Sequence, residues 1–237
     1  MISSIDIRKN PIFVVCACIV AVIFCLLFIF VVPNNENNSG DFSDHLSLVE
    51  NINGEVKRCY YVDSMGSVTF AIDKHYAVIE QHLDEFGRSI EDFYFDENNN
   101  PVKQPAGNYG LRHFYNDLNQ DILIEYLDVN GNSLINTSGY VFAIRSFNNA
   151  GQVLTEMYYD GDKRLTTASM GESGVMYQYD SSGRRYLITY LSKEGIPIRN
   201  KMGYTSLLRI YRDDGVIDTE YYLDSKGNKI AISNCAW

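Results

Sequence analysis

Positive charge is the scarcest feature of this chain: 20 Lys and Arg stand against 30 Asp and Glu in 237 residues, a formal charge of −10. An acidic field repels phosphate backbones and supplies no clustered cations to hold them, so nucleic acid is excluded as a partner and a basic or neutral one fits better. Histidine is sparse too. The four histidines, His45, His75, His82 and His113, fall at unrelated places, and their spacing suggests no nucleophile, base and orienting group in contact. Of five cysteines, Cys16, Cys18 and Cys25 sit inside an apolar run as small apolar residues, which leaves Cys59 and Cys235. No cofactor and no metal are expected, and the chain reads as a non-enzyme.

From Ile12 to Val32 every residue is apolar or Cys. A run of this length crosses a hydrocarbon layer of ~30 Å as a helix rising ~1.5 Å per residue. Arg8 and Lys9 precede it, and the first charges after it are Glu36, Asp41 and Asp44. The positive-inside rule therefore puts residues 1–11 in the cytoplasm and everything beyond the 12–32 span outside. A cleaved signal peptide would end in a small-residue A-x-A-like site, which Phe30-Val31-Val32-Pro33 does not supply. Residues 33–43 form a polar linker, and residues 44–237 remain as one extracytoplasmic domain.

That domain repeats. Tyr94, Tyr126, Tyr158, Tyr190 and Tyr222 are each 32 residues apart, and Tyr61 precedes Tyr94 by 33. Seven residues before each stands Gly54, Gly87, Asn119, Gly151, Gly183 or Gly215, and five after stands Gly66, Asn99, Gly131, Lys163, Gly195 or Gly227. Gly107, Gly139, Gly171 and Gly203 mark a third place, thirteen residues after the middle tyrosines. Asp at the start of a turn and Gly or Asn where φ is positive is the recipe for a hairpin turn followed by a bulge. Lys163 breaks the recipe, so the turn at Asp160-Gly161-Asp162-Lys163 is expected to differ.

Between the turns, stretches such as Tyr140 to Phe147 and Gln152 to Tyr159 alternate and favour aromatic and β-branched residues. The fold class is therefore all-β: tandem 32-residue hairpins forming an extended or curved antiparallel sheet, preceded by one N-terminal transmembrane helix. The tyrosine column and its neighbour, Val62, Phe95, Leu127, Tyr159, Leu191 and Leu223, take opposite faces, so at least one face needs a cover. About ten strands at ~4.8 Å would span roughly 45–50 Å. An open array of that length keeps Cys59 and Cys235 apart, whereas a closed ring could unite them in a disulfide.

The cadence of Tyr179-Asp180-Ser181-Ser182-Gly183 and Leu223-Asp224-Ser225-Lys226-Gly227-Asn228 resembles the YD, or RHS-type, repeats of bacterial surface proteins, and is similar in spirit to the shorter MORN-like hairpin repeats. The resemblance covers residues 44 to 233. It implies a bacterial origin, a β-hairpin array and a cell-envelope location, and transfers no catalytic residue. Large RHS proteins enclose a cargo, but the few units and the anchor here do not imply encapsulation.

Paired acids such as Glu91-Asp92 and Asp213-Asp214 sit in or beside turns rather than across a cleft, which weighs against glycoside hydrolysis. Asp128-x-Asn130-x-Asn132 alternates oxygen ligands like a calcium loop, yet Ser133 and Gly139 stand where Gly and Glu are wanted, so an ordinary turn is expected. The candidate binding residues are the tyrosine column, Tyr94, Tyr126, Tyr158, Tyr190 and Tyr222, together with Tyr140, Arg145, Tyr204 and Arg209. Repeated amphipathic rings offer a platform to a sugar polymer, and arginines add hydrogen-bond forks. The expected partner is a cell-envelope polymer or a protein. The rival readings are an anchored immunity or inhibitor protein that blocks a secreted toxin or enzyme, and an envelope hydrolase.

Overall fold

The structure, a computed structural model, describes residues 46–52, by their backbone, and 54–230. The expected membrane span 12–32, its flanking segments and Cys235 lie outside these residues, among which no helix is long and apolar enough to cross a membrane.

The described residues form one open antiparallel sheet whose thirteen strands lie side by side in chain order. They are β1 (Leu46–Ile52), β2 (Val56–Val62), β3 (Val78–Leu83), β4 (Ser89–Phe95), β5 (Gly110–Tyr115), β6 (Asp121–Leu127), β7 (Phe142–Phe147), β8 (Val153–Tyr159), β9 (Gly174–Tyr179), β10 (Arg185–Leu191), β11 (Ser206–Tyr211), β12 (Ile217–Leu223) and the two-residue β13 (Lys229–Ile230). Each odd strand from β1 to β11 forms a tight hairpin with the even strand after it, and a longer connector leads to the next hairpin.

The turn chemistry sets this pattern locally. At the tip of β3–β4, Asp84 Oδ1 accepts the amides of Phe86 and Arg88 while Gly87 adopts φ +76°. The same arrangement opens the connectors, where Asp128 Oδ1 accepts from Asn130 and Asn132, except that Ser192 Oγ takes the carboxylate's place after β10. The Asn132 bonds hold the Asp128 carboxyl below its usual range, so its D-x-N-x-N spacing builds an Asx turn. The turn at Lys163 does not differ, contrary to expectation. Lys163 takes φ +60° and keeps the pattern, its amide bonding Asp160 O at 3.0 Å. Its ammonium lies 5.7 Å from the centre of the Phe142 ring.

The cover for the tyrosine face comes from the connectors. The last four end in a second turn, at Gly107, Gly139, Gly171 or Gly203, and these turns bond to one another along the margin of the sheet: Thr137 N donates to Ala106 O, Ser169 N to Ser138 O and Lys201 N to Met170 O. The buried cluster of Tyr140, Ala143, Tyr158 and Ala168, with Tyr126 against it, lies between this row of turns and the strands. There is no second sheet among the described residues.

Candidate binding face

The tyrosines of the expected column meet in pairs through a ring from a connector. Tyr140, at the end of a connector, stacks on Tyr158 of β8 at 4.2 Å and meets Tyr126 of β6 edge-on at 5.5 Å. Tyr61–Tyr76–Tyr94 and Tyr190–Tyr204–Tyr222 repeat the triplet. Tyr94, Tyr140, Tyr158 and Tyr204 are all less than a tenth exposed, and burial pushes the hydroxyls of Tyr94, Tyr140 and Tyr158 far above the ordinary range. These rings form three internal triplets, and their faces are spent on one another.

The connector rings occur in every second unit. Tyr76, Tyr140 and Tyr204 are 64 residues apart, and the places between them hold Asn108 and Glu172, both buried. Burial raises the Glu172 carboxyl above its ordinary range. The same two-unit period governs the ion pairs on this face. Arg145 bonds Glu156 at 2.9 Å and Arg209 bonds Glu220 at 2.8 Å, while the same place is Tyr177 in the hairpin between them and His113 in the hairpin before Arg145. His113 lies between two carboxylates, 3.0 Å from Asp121 and 3.3 Å from Asp92, and Asp121 also binds Arg145 at 3.1 Å. Burial would lower the imidazole pKa, but hydrogen bonds and charge from Asp121 and Asp92 outweigh it and hold the ring near 9. The candidate arginines are therefore committed to internal pairs. The histidine that spacing left unassigned is the centre of a network across β4, β5, β6 and β7. It could have been found by noting that His113 occupies the Arg145 column.

A second aromatic column, not singled out from the sequence, lies on the same face at the hairpin-tip end of the odd strands: Tyr115, Phe147, Tyr179 and Tyr211, again 32 apart. All four are half-buried. The three hydroxyls donate to strand carbonyls of the preceding hairpin, Ser89 O at 2.9 Å, Val153 O at 2.7 Å and Arg185 O at 2.8 Å. Arg88 stacks over Tyr115 at 4.6 Å, Arg184 over Tyr211 at 4.8 Å and Arg185 over Tyr177 at 4.2 Å. An open hollow of about 870 Å³ lies between two neighbouring tips and is lined by Gln120, Arg145 and Phe147 among others. The row of rings is anchored from below, and beside it Arg88 and Arg184 are paired with Asp84 at 2.6 Å and Asp180 at 2.7 Å, while Arg185 is exposed.

The opposite face divides in two. From β2 to β6 it carries a chain of charges: Arg58–Glu80 at 3.1 Å, Glu80–His82 at 3.1 Å, Arg112–Glu91 at 2.8 Å and Arg112–Glu125 at 2.9 Å. From β7 to β11 it carries Ile144, Met157, Met176, Leu187 and Leu208, all half-exposed. Cys59, in β2, is a half-buried free thiol whose pKa burial raises. Among the described residues no three His, Cys, Asp or Glu side chains converge as metal ligands.

No family model matches this chain, and no curated protein matches it.

Proposed function

We propose that this chain is a non-catalytic binding and scaffold module, held on the outer side of a membrane by residues 12–32, which contacts envelope polymer through its row of tip aromatics and arginines. The observation that carries this reading is the period of the row. Tyr115, Phe147, Tyr179 and Tyr211 recur once per hairpin, which is two strand spacings or about 9–10 Å, a repeat on the scale of a disaccharide. Half-exposed rings stack on sugar faces, and arginine forks bond hydroxyl and carboxylate groups. The likeness of the turns to YD repeats supports a bacterial envelope as the setting.

A protein partner is the second reading, favoured by the apolar patch from Ile144 to Leu208 and by the net charge of −10. An immunity or inhibitor role against a basic toxin or enzyme belongs to this reading. Retention of the full-length protein on purified bacterial wall polymer separates the two. The polymer reading expects retention that falls about tenfold, roughly the 1.4 kcal/mol of one stacked ring, in Phe147→Ala and Arg185→Ala with unchanged circular dichroism. Wild-type protein that washes through would overturn it in favour of a protein partner.

A further inference from the structure

The sheet has two kinds of strand junction. One is the hairpin. The other joins an even strand to the odd strand of the next hairpin, and it recurs five times in one register, led by Tyr60↔Val78, Phe93↔Gly110, Glu125↔Phe142, Met157↔Gly174 and Thr189↔Ser206. In the last of these the pairing continues as Ile188↔Leu207 and Leu187↔Leu208.

The two edges of the sheet hold the unjoined halves of a sixth such junction. β12 is an even strand. Its partner β13 takes up only Tyr222 and Leu223, so among the described residues no strand lies against the outer edge of Ile217–Tyr221. β1 is an odd strand by its hairpin register, Leu46↔Val62, which matches Val78↔Phe95 and Ser206↔Leu223. No described strand lies outside it.

We infer that β12 of one molecule pairs with β1 of a second copy, head to tail, in the register of the five internal junctions. That register puts Tyr221 opposite Leu46, Glu220 opposite Ser47 and Thr219 opposite Leu48. An unpaired strand edge is a template for another chain, and here charge selects which one. Two β12 edges paired about Thr219 would set Asp218 against Glu220 twice, and like charges placed opposite one another repel. β1 instead offers Ser47 opposite Glu220 and Val49 opposite Asp218. The contact joins two different edges, so it does not close on itself and adds molecules in a line or a large ring. It does not depend on what the faces bind.

The test uses full-length protein in detergent micelles with Cys16, Cys18 and Cys25 changed to Ala and Cys59 and Cys235 to Ser. Thr219 and Leu48 correspond to Leu123 and Ile144, which pair one residue from the hydrogen-bonded place Ile124↔Ala143, a site where side chains approach closely enough for a disulfide. Under mild oxidation, a mixture of Thr219→Cys and Leu48→Cys should give crosslinked dimers, neither variant alone should, and moving the first cysteine to Asp218 should slow the reaction at least tenfold. Sedimentation of the wild type should show mass rising with concentration. Dimers from Thr219→Cys alone, equal reaction from Asp218→Cys, or a monomer at every concentration would each overturn the inference.

Discussion

Tyr140 lies flat on Tyr158, ring centres 4.2 Å apart and planes within 7°, although one closes a connector and the other sits mid-sheet. Through this contact the connector layer grips the strands. Removing a buried ring costs about 3–5 kcal/mol, whereas removing one hydroxyl from a weak bond such as Tyr140 to Tyr126, at 3.5 Å, costs about 1 kcal/mol or less. Tyr140→Ala should therefore lower the urea midpoint sharply, and Tyr140→Phe should leave it nearly unchanged. Equal effects would show that the hydroxyl, not the stack, holds the connector.

His113 makes stability depend on pH. Its folded pKa, about 9, exceeds the ordinary 6.5. A raised pKa means the charged ring stabilises the fold fully below the unfolded value, and this contribution is lost as pH climbs through the folded one. Denaturation at fixed temperature should show stability falling by about 2 kcal/mol between the two values. His113→Gln should flatten that slope while lowering stability at pH 6.

Much of this architecture is legible in one sequence because its turns are local chemistry. Asp84, Asp128 and Asp180 each satisfy two amides within four residues, so the hairpins announce themselves. Lys163 misleads because a tertiary framework imposes the left-handed conformation on a residue that does not favour it. The burial of Tyr140 is less legible, since it depends on bonds such as Thr137 to Ala106, which join one connector to the next. The Tyr115 column has the same 32-residue spacing as the column through Tyr158. Which column stays open is decided by where the connectors pack, and no local pattern shows that. The pairing of His113 with Asp92 and Asp121 likewise requires the strand register.

Gly174 should tolerate no side chain. A Cβ there would stand 2.5 Å from Glu156 O and collide with the Met157 sulfur, and at Gly110 it would stand 2.6 Å from Asp92 O. The equivalent places in the alternate units are Phe142 and Ser206, so the restriction follows the two-unit period. Overpacking costs about 1–3 kcal/mol, with the upper end expected because backbone must move. Gly174→Ala should lower the thermal midpoint by several degrees, and Ser206→Ala, which meets no clash and loses only the hydroxyl bond to Thr189 at 3.0 Å, should lower it less.

Lys163 carries a left-handed backbone at φ +60°, which costs a side-chain-bearing residue about 1 kcal/mol. Lys163→Gly should raise stability by about 0.5–1 kcal/mol, reduced by loss of the contact with Phe142. Destabilisation would mean that the contact outweighs the strain.

The open, single-file order of the strands underlies both the binding row and the end-to-end assembly, and a distance measurement tests it most directly. Spin labels at Lys57 in β2 and Thr219 in β12, in protein whose five native cysteines are replaced and diluted into unlabelled protein, are separated by ten strand spacings. The account predicts a pulsed dipolar distance of about 40–50 Å at ~4.8 Å per strand. A narrow distance below about 20 Å, only some four strand spacings, would mean that the sheet closes on itself and would contradict the account.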